Sequence, residues 1–296
     1  MAFLLTTLVG CNKQSYSQAQ QSSTPIPSAT QLKVVATFLP MYWFTKAVTA
    51  DKAQVEILIP PGTEVHEYQA TPANAQAIAG ADILVKNGIG FEEFLDATVA
   101  NAKNTQLKEI DASAGIKPLN NATPDEHTAG NPHVWLDPAL AKQQVANIRD
   151  GLIAANPENK ATYQANATAY IQQLETLDKE FKKRLQKYPN CTFVTFHDAY
   201  PYLANRYQIK QVAVVEIPED QLSPSDVQKA VNAVKKYNVK ALFGEPGTDN
   251  KLLTALSTDL NLSLQPLDSL ESGPLDPQHY FTAMRANLQT LESACK

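Results

Sequence analysis

The longest helical signal in the chain lies near its middle and divides the sequence into two segments of the same kind. Ile171, Leu174, Leu177, Phe181 and Leu185 recur at helical spacing. Asn156 suits an N-cap, Pro157 suits the first helical position, where its missing N–H costs nothing, and Tyr188-Pro189-Asn190 ends the run. The pattern predicts a helix over 156–188. About thirty residues at ~1.5 Å rise would span ~45 Å, enough to cross a two-lobed molecule. A helix of that length serves as a rigid spine between two bodies.

On each side of the spine, strand and helix signals alternate. Before it, strands are expected at 33–38, 54–59, 83–86 and 106–110, with helices at 40–50, 71–79, 91–102 and 138–154. After it, strands are expected at 192–196, 211–217, 240–243 and 262–267, with helices at 199–207, 223–234, 250–260 and 277–294. Alternation of this kind implies parallel, doubly wound sheets. The expected fold is α/β, with two (βα)4-type lobes at 32–155 and 189–296 joined by the spine. The lobes share architecture and no evident sequence identity.

The 296 residues, 44% of them hydrophobic, suffice for two lobes with their own cores. A net charge of −5 without Lys/Arg clusters argues against nucleic acid and against polybasic membrane binding. No run approaches the ~18 apolar residues that a spanning helix needs. The N-terminus is distinctive. Residues 1–10 are apolar, and Leu8-Val9-Gly10-Cys11 resembles the lipobox of bacterial lipoprotein signal peptides, in which the cysteine is lipidated; a positive n-region is missing. Residues 12–31 are Ser/Gln-rich and contain prolines, as a flexible tether would. The reading is a lipoprotein signal segment at 1–11 and a cell-envelope protein anchored through Cys11. Two cysteines remain, Cys191 and Cys295. An oxidising envelope permits a disulfide between them, and no CxxC spacing points to a cysteine-ligated metal.

Of the five histidines, His66, His133 and His197 fall where a strand or loop meets a helix start, and Asp268 directly follows a strand. Ligands of open α/β sheets bind beyond the carboxyl ends of the strands. Two of these four positions precede the spine and two follow it, which would place a site between the lobes. Imidazoles with one carboxylate suit a tetrahedral Zn²⁺ site and also accept Mn²⁺. Placement alone leaves each histidine open between a ligand and an ordinary hydrogen-bonded loop residue. Glu64 is a solvated loop acid or an alternative carboxylate, and Glu245, at a strand end, suits a partner that orients a ligand histidine. His127 stands alone in the loop at 112–131, His279 carries no assignment, and Trp135 and Tyr68 read as packing beside the site.

Several motifs add a resemblance. Gly62 to His66-Glu67-Tyr68 fits a G-x-x-x-H-x-Y segment, and Ala81-Asp82 with Asn87-Gly88-Ile89-Gly90-Phe91-Glu92 fits an "AD…NG.G.E" stretch. Asn131-Pro132-His133-Val134-Trp135-Leu136-Asp137-Pro138, Phe196-His197-Asp198-Ala199-Tyr200 and Gln265-Pro266-Leu267-Asp268 complete the set. Across roughly 32–295 the chain resembles the metal-specific solute-binding proteins of bacterial ABC importers, the zinc/manganese family of ZnuA-like proteins and streptococcal lipoprotein adhesins. The resemblance implies His66, His133, His197 and Asp268 as metal ligands, a spine that limits lobe motion, a monomer, and a membrane permease as partner. Histidine at the third position is what the family's zinc members carry, and three imidazoles with one carboxylate favour Zn²⁺ over the harder Mn²⁺. The short loop at 112–131 lacks the His-rich insertion common in zinc members.

Two other functions compete. A zinc hydrolase needs an open coordination position and a base; HExxH is absent, and a three-His, one-Asp set closes the tetrahedron. A lipoprotein adhesin would use the metal only to stabilise its fold. The expected function is capture of a divalent metal for import, without catalysis.

Overall fold

The computed structural model describes residue 1 and residues 31–63, 65–120, 130–215, 224–239, 241–246 and 251–296. The expected lipidation site Cys11, all of the expected tether at 12–31 except Gln31, Glu64 and His127 lie outside the described residues. Residues Gln31–Lys296 form one compact unit. Among the described residues, no helix is long and apolar enough to cross a membrane.

The first lobe carries β1 (Leu32–Ala36), β2 (Ala53–Ile57), β3 (Ile83–Lys86) and β4 (Lys108–Asp111), and the second β5 (Thr192–His197), β6 (Lys210–Val215), β7 (Ala241–Gly244) and β8 (Ser263–Pro266). Every ladder is parallel, and the strand orders are β2-β1-β3-β4 and β6-β5-β7-β8. The lobes thus repeat one winding, with the chain reversing direction across the sheet between β1 and β3 and again between β5 and β7. Crevices at such reversals are where open α/β sheets bind ligands. Central β3 is buried over Ile83-Leu84-Val85, as parallel strands covered on both faces require.

Helices α1 (Leu39–Thr49), α2 (Pro72–Ala79), α3 (Leu95–Ala102) and α4 (Pro138–Ala155) belong to the first lobe. Thr71 caps α2 with a reciprocal capping box to Asn74, and Asp137 caps α4 by accepting from the Ala139 N–H. The spine is shorter than the sequence pattern predicts. Pro157–Asn159 forms a 3₁₀ turn, and the α-helix proper, α5, runs Lys160–Leu185. Asn156 does not cap it. Its N–H stays bonded to the Leu152 carbonyl, and its side-chain oxygen accepts from Asn159 instead. A local side-chain bond has thus displaced the cap.

One stripe of α5, Tyr163, Ala167, Tyr170, Leu174, Leu177, Phe181 and Leu185, is buried against α1, α4, α6 (Pro201–Tyr207) and α9 (His279–Cys295). Lys182, Lys183 and Arg184 complement the helix dipole in the last turn. Asn190, at φ 64°, turns the chain into β5. The remaining helices, α7 (Pro224–Tyr237) and α8 (Lys251–Asp259), complete the second lobe. Cys191, just before β5, and Cys295, at the end of α9, are joined by a disulfide with Cα atoms 5.6 Å apart.

Candidate metal centre

The second lobe supplies its half of the site at its chain reversal. β5 ends on His197, and the neighbouring β7 delivers Glu245 just beyond its last residue. Glu245 Oε1 lies 2.7 Å from His197 Nδ1. Burial pushes the Glu245 carboxyl upward, but the adjacent His197, by charge and hydrogen bond, together with a Ser269 hydrogen bond and the charge of His66, holds it below the ordinary carboxylate range. An ionised Glu245 can only accept, so the proton sits on Nδ1 and is donated to the carboxylate. Nε2, on the far side of the ring, has no hydrogen-bond partner among the described residues.

The first lobe brings His66 and His133. His133 follows the Asn131-Pro132 turn, starts the 3₁₀ turn Val134–Leu136, and is 2% exposed. Its Nδ1 lies 3.0 Å from Asn131 Oδ1. Burial first, then the neighbouring His197 and His66, push its pKa well below the usual imidazole range, so at neutral pH it is an uncharged donor. His66 stands on the β2–α2 connection, its ring edge-on to Phe91 at 5.3 Å. Phe91 is delivered by a turn in which Gly88, Ile89 and Gly90 all have positive φ. Glu92 fastens that turn by accepting from the Asn87 and Gly88 N–H groups and from the Thr37 hydroxyl. The predicted "NG.G.E" motif is thus a device for seating an aromatic ring against two histidines.

The three imidazoles converge. His66 Nε2 lies 3.3 Å from His133 Nε2, and the His197 ring is 5.0 Å from that of His66 and 4.7 Å from that of His133. The carboxylate in their midst is Glu271, whose Oε1 is 3.6 Å from Nε2 of both His66 and His133. One donor atom from each of His66, His133, His197 and Glu271 fits within a 4.8 Å group.

Asp268, expected from the strand-end pattern, lies outside this group. Its Oδ1 accepts from the Leu270 N–H at 2.8 Å, and burial raises its pKa. Leu270, at φ 66°, reverses the backbone and brings Glu271 into the centre. The loop between them is firmly built. Tyr200 donates to the Leu267 carbonyl, Asn287 brackets Asp268 through its N–H and carbonyl, and Trp135 donates to the Ser269 carbonyl. Asp268 shapes the turn that presents Glu271. Only a search of every carboxylate in the loop after β8 would have exposed Glu271 in the sequence, because its direction depends on one left-handed residue. Of the other candidates, Glu245 contacts His197, and His279 packs on Trp43 at 5.5 Å. Trp135 stacks beside His133, while Tyr68 packs on Phe94.

Three imidazole nitrogens and one carboxylate oxygen from four separate segments, almost closed to water, match the donor set and number of a four-coordinate zinc site. The comparisons with known proteins agree. The family described as zinc-uptake complex component A, periplasmic, matches residues 34–294. The high-affinity zinc uptake system protein ZnuA of Bacillus subtilis is 31% identical over 89% of this chain and 88% of its own length. The laminin-binding protein Lmb of Streptococcus agalactiae, described as bifunctional with adhesin and metal transporting activity, superposes with a TM-score of 0.82 at 29% identity over 90% of this chain and 100% of its own. Zn(II)-bound AdcA of Streptococcus pneumoniae gives a TM-score of 0.78 at 33% identity over 89% of this chain, which spans 57% of that longer protein. With the match covering both lobes and the spine, the chain belongs to the zinc-uptake complex component A family of metal solute-binding proteins.

Proposed function

We propose that this protein captures a divalent transition metal, Zn²⁺ ahead of Mn²⁺, at His66, His133, His197 and Glu271, and delivers it to the permease of an ABC importer. The observation that carries this reading is the convergence of three buried imidazoles on one carboxylate. A hard, oxygen-seeking ion such as Mn²⁺ is poorly served by three nitrogens, whereas Zn²⁺ is well served. Four protein donors leave no open position for an activated water, which is consistent with capture rather than hydrolysis. Glu245 orients His197 and Asp268 supports the loop of Glu271. The envelope location and the lipid anchor at Cys11 follow from the lipobox-like segment; the working form is a monomer. Metal analysis of the purified protein, followed by competition between Zn²⁺ and Mn²⁺ against a chromophoric chelator, tests the proposal. Binding of neither ion, or preference for Mn²⁺, would overturn it. The likeness to Lmb supports adhesion as a second role that could coexist with import.

A further inference from the structure

Asn131 lies where the two lobes meet and is 3% exposed. Its single amide reaches both halves of the site. Oδ1 accepts from the backbone N–H of His133 at 3.1 Å and lies 3.0 Å from the His133 ring Nδ1. Nδ2 donates to the carbonyl of Asp198, the residue after His197, at 2.8 Å. The orientation of the amide is dictated by its partners, since only its oxygen can accept from a backbone N–H and only its NH₂ can satisfy a carbonyl. With oxygen facing Nδ1, the His133 proton must sit on Nδ1, and the Nε2 lone pair is left for the centre. The backbone of Asn131 is held independently: its N–H donates to the Leu119 carbonyl and its carbonyl accepts from the Tyr202 hydroxyl. Pro132 is held in turn by Asn87. A change of side chain at 131 therefore leaves the loop pinned and isolates the amide.

We infer that Asn131 is a positioning residue that sets the His133 tautomer for coordination and, through the same amide, latches the ligand loop of the first lobe to that of the second, so that the half-sites stay in register before an ion arrives. The inference rests on the metal-capture reading above. It assigns to one side chain two separable tasks, one carried by its oxygen and one by its nitrogen.

The test compares the full chain with its N131A and N131D variants. N131D keeps an acceptor opposite His133 and loses the donor to Asp198; N131A loses both. In N131A, zinc affinity by chelator competition should fall ten- to a hundredfold, the usual effect of removing the partner that orients a ligand histidine. The ¹⁵N-imidazole spectrum of the metal-free protein, with His133 assigned through H133Q, should lose its Nδ1–H signature in N131A and keep it in N131D. Hydrogen exchange over residues 197–203 should quicken in both variants. Affinity within twofold of wild type in N131A, or an unchanged imidazole signature there, overturns the tautomer role. Unchanged exchange in N131D overturns the latch. If N131A does not fold, N131D decides alone: an Nδ1–H signature with quickened exchange supports the inference, and any other pair of results refutes it. Both spectroscopic readouts use metal-free protein, so a wild type that failed to bind zinc would defeat the proposed function without deciding the role of Asn131.

Discussion

Replacing Glu271 with Gln removes the carboxylate charge that the structure places among the three imidazoles. Glu271 Oε1 is 3.6 Å from Nε2 of both His66 and His133, so an ion held by those nitrogens lies within about 4 Å of the carboxylate. At that distance and an effective dielectric constant of ~20, one pair of unit charges is worth about 4 kcal/mol. The second charge of the ion adds to this, and the cost of keeping a carboxylate out of water offsets the addition. About 4 kcal/mol corresponds to roughly a thousandfold in Kd, at about 1.4 kcal/mol per decade. Asp268→Asn provides the control, because asparagine keeps the oxygen that accepts from the Leu270 N–H. Its zinc affinity should stay within about threefold of wild type, a change of well under 1 kcal/mol. Chelator competition on both variants, with circular dichroism to verify folding, reads the difference. If D268N loses a thousandfold while E271Q binds like wild type, the geometric reasoning fails and Asp268 is the ligand.

Three further outcomes follow from the same geometry. Glu245→Gln replaces an ionised acceptor with an amide beside His197 Nδ1, so zinc affinity should fall about ten- to a hundredfold with little change in thermal stability. The Cys191–Cys295 disulfide closes a sequence separation of 104. Loop-closure entropy alone predicts that the double Ser variant loses about 4–5 kcal/mol, read as a lower urea midpoint with a larger m-value, because the unlinked unfolded chain is less compact. His133 titrates well below the normal range when folded, because burial and then two neighbouring imidazoles disfavour its charge. The unfolded chain therefore binds the proton first. The stability of the metal-free protein should be intact above about pH 6.5 and fall below it by up to about 1.4 kcal/mol per pH unit, a slope that H133Q should flatten in denaturation series.

The eight strands, their parallel alternation and the central helix were legible in the sequence because each carries a local signal. β3 carries an unbroken buried run, α2 opens on Thr71-Pro72, and α4 opens on Asp137-Pro138. The three histidines were legible because strand ends in this fold class point at a crevice. The carboxylate that the fold brings among them, Glu271, was not. Asp268 and Glu271 are three residues apart, and the choice between them depends on the left-handed backbone at Leu270 and on bonds from Tyr200, Asn287 and Trp135. Those contacts come from residues distant in sequence, where spacing carries no information. The cap at Asn156 failed for a related reason, since a competing partner, Asn159, lies just downstream. Asn131 was visible only as part of a motif, because its role depends on the Asp198 carbonyl in the other lobe.

These constraints bear on how an ion leaves. A wide hinge opening would have to bend α5, which contains neither proline nor glycine from Lys160 to Leu185, and sharp helix kinks need such residues or an inserted group. The helix is also fastened at both ends. Asn166 donates to the Val48 carbonyl in the first lobe, and Arg184 pairs with Glu292 of α9 in the second. Rigid closure around the ligand by lobe rotation is thereby disfavoured, and the motion that frees the ion must be local. His133 and His197 begin or end regular elements, whereas His66 stands on the turn-rich connection between β2 and α2. That connection lies outside the helices and strands of the described residues, so opening it breaks no regular element, and it is the natural gate. Hydrogen exchange in metal-free and zinc-loaded protein should differ mainly over residues 60–71, while the small-angle scattering curves superimpose. A clear change in scattering on zinc addition, with residues 60–71 unaffected, would show that the lobes rotate after all and that α5 bends where its sequence gives no reason to.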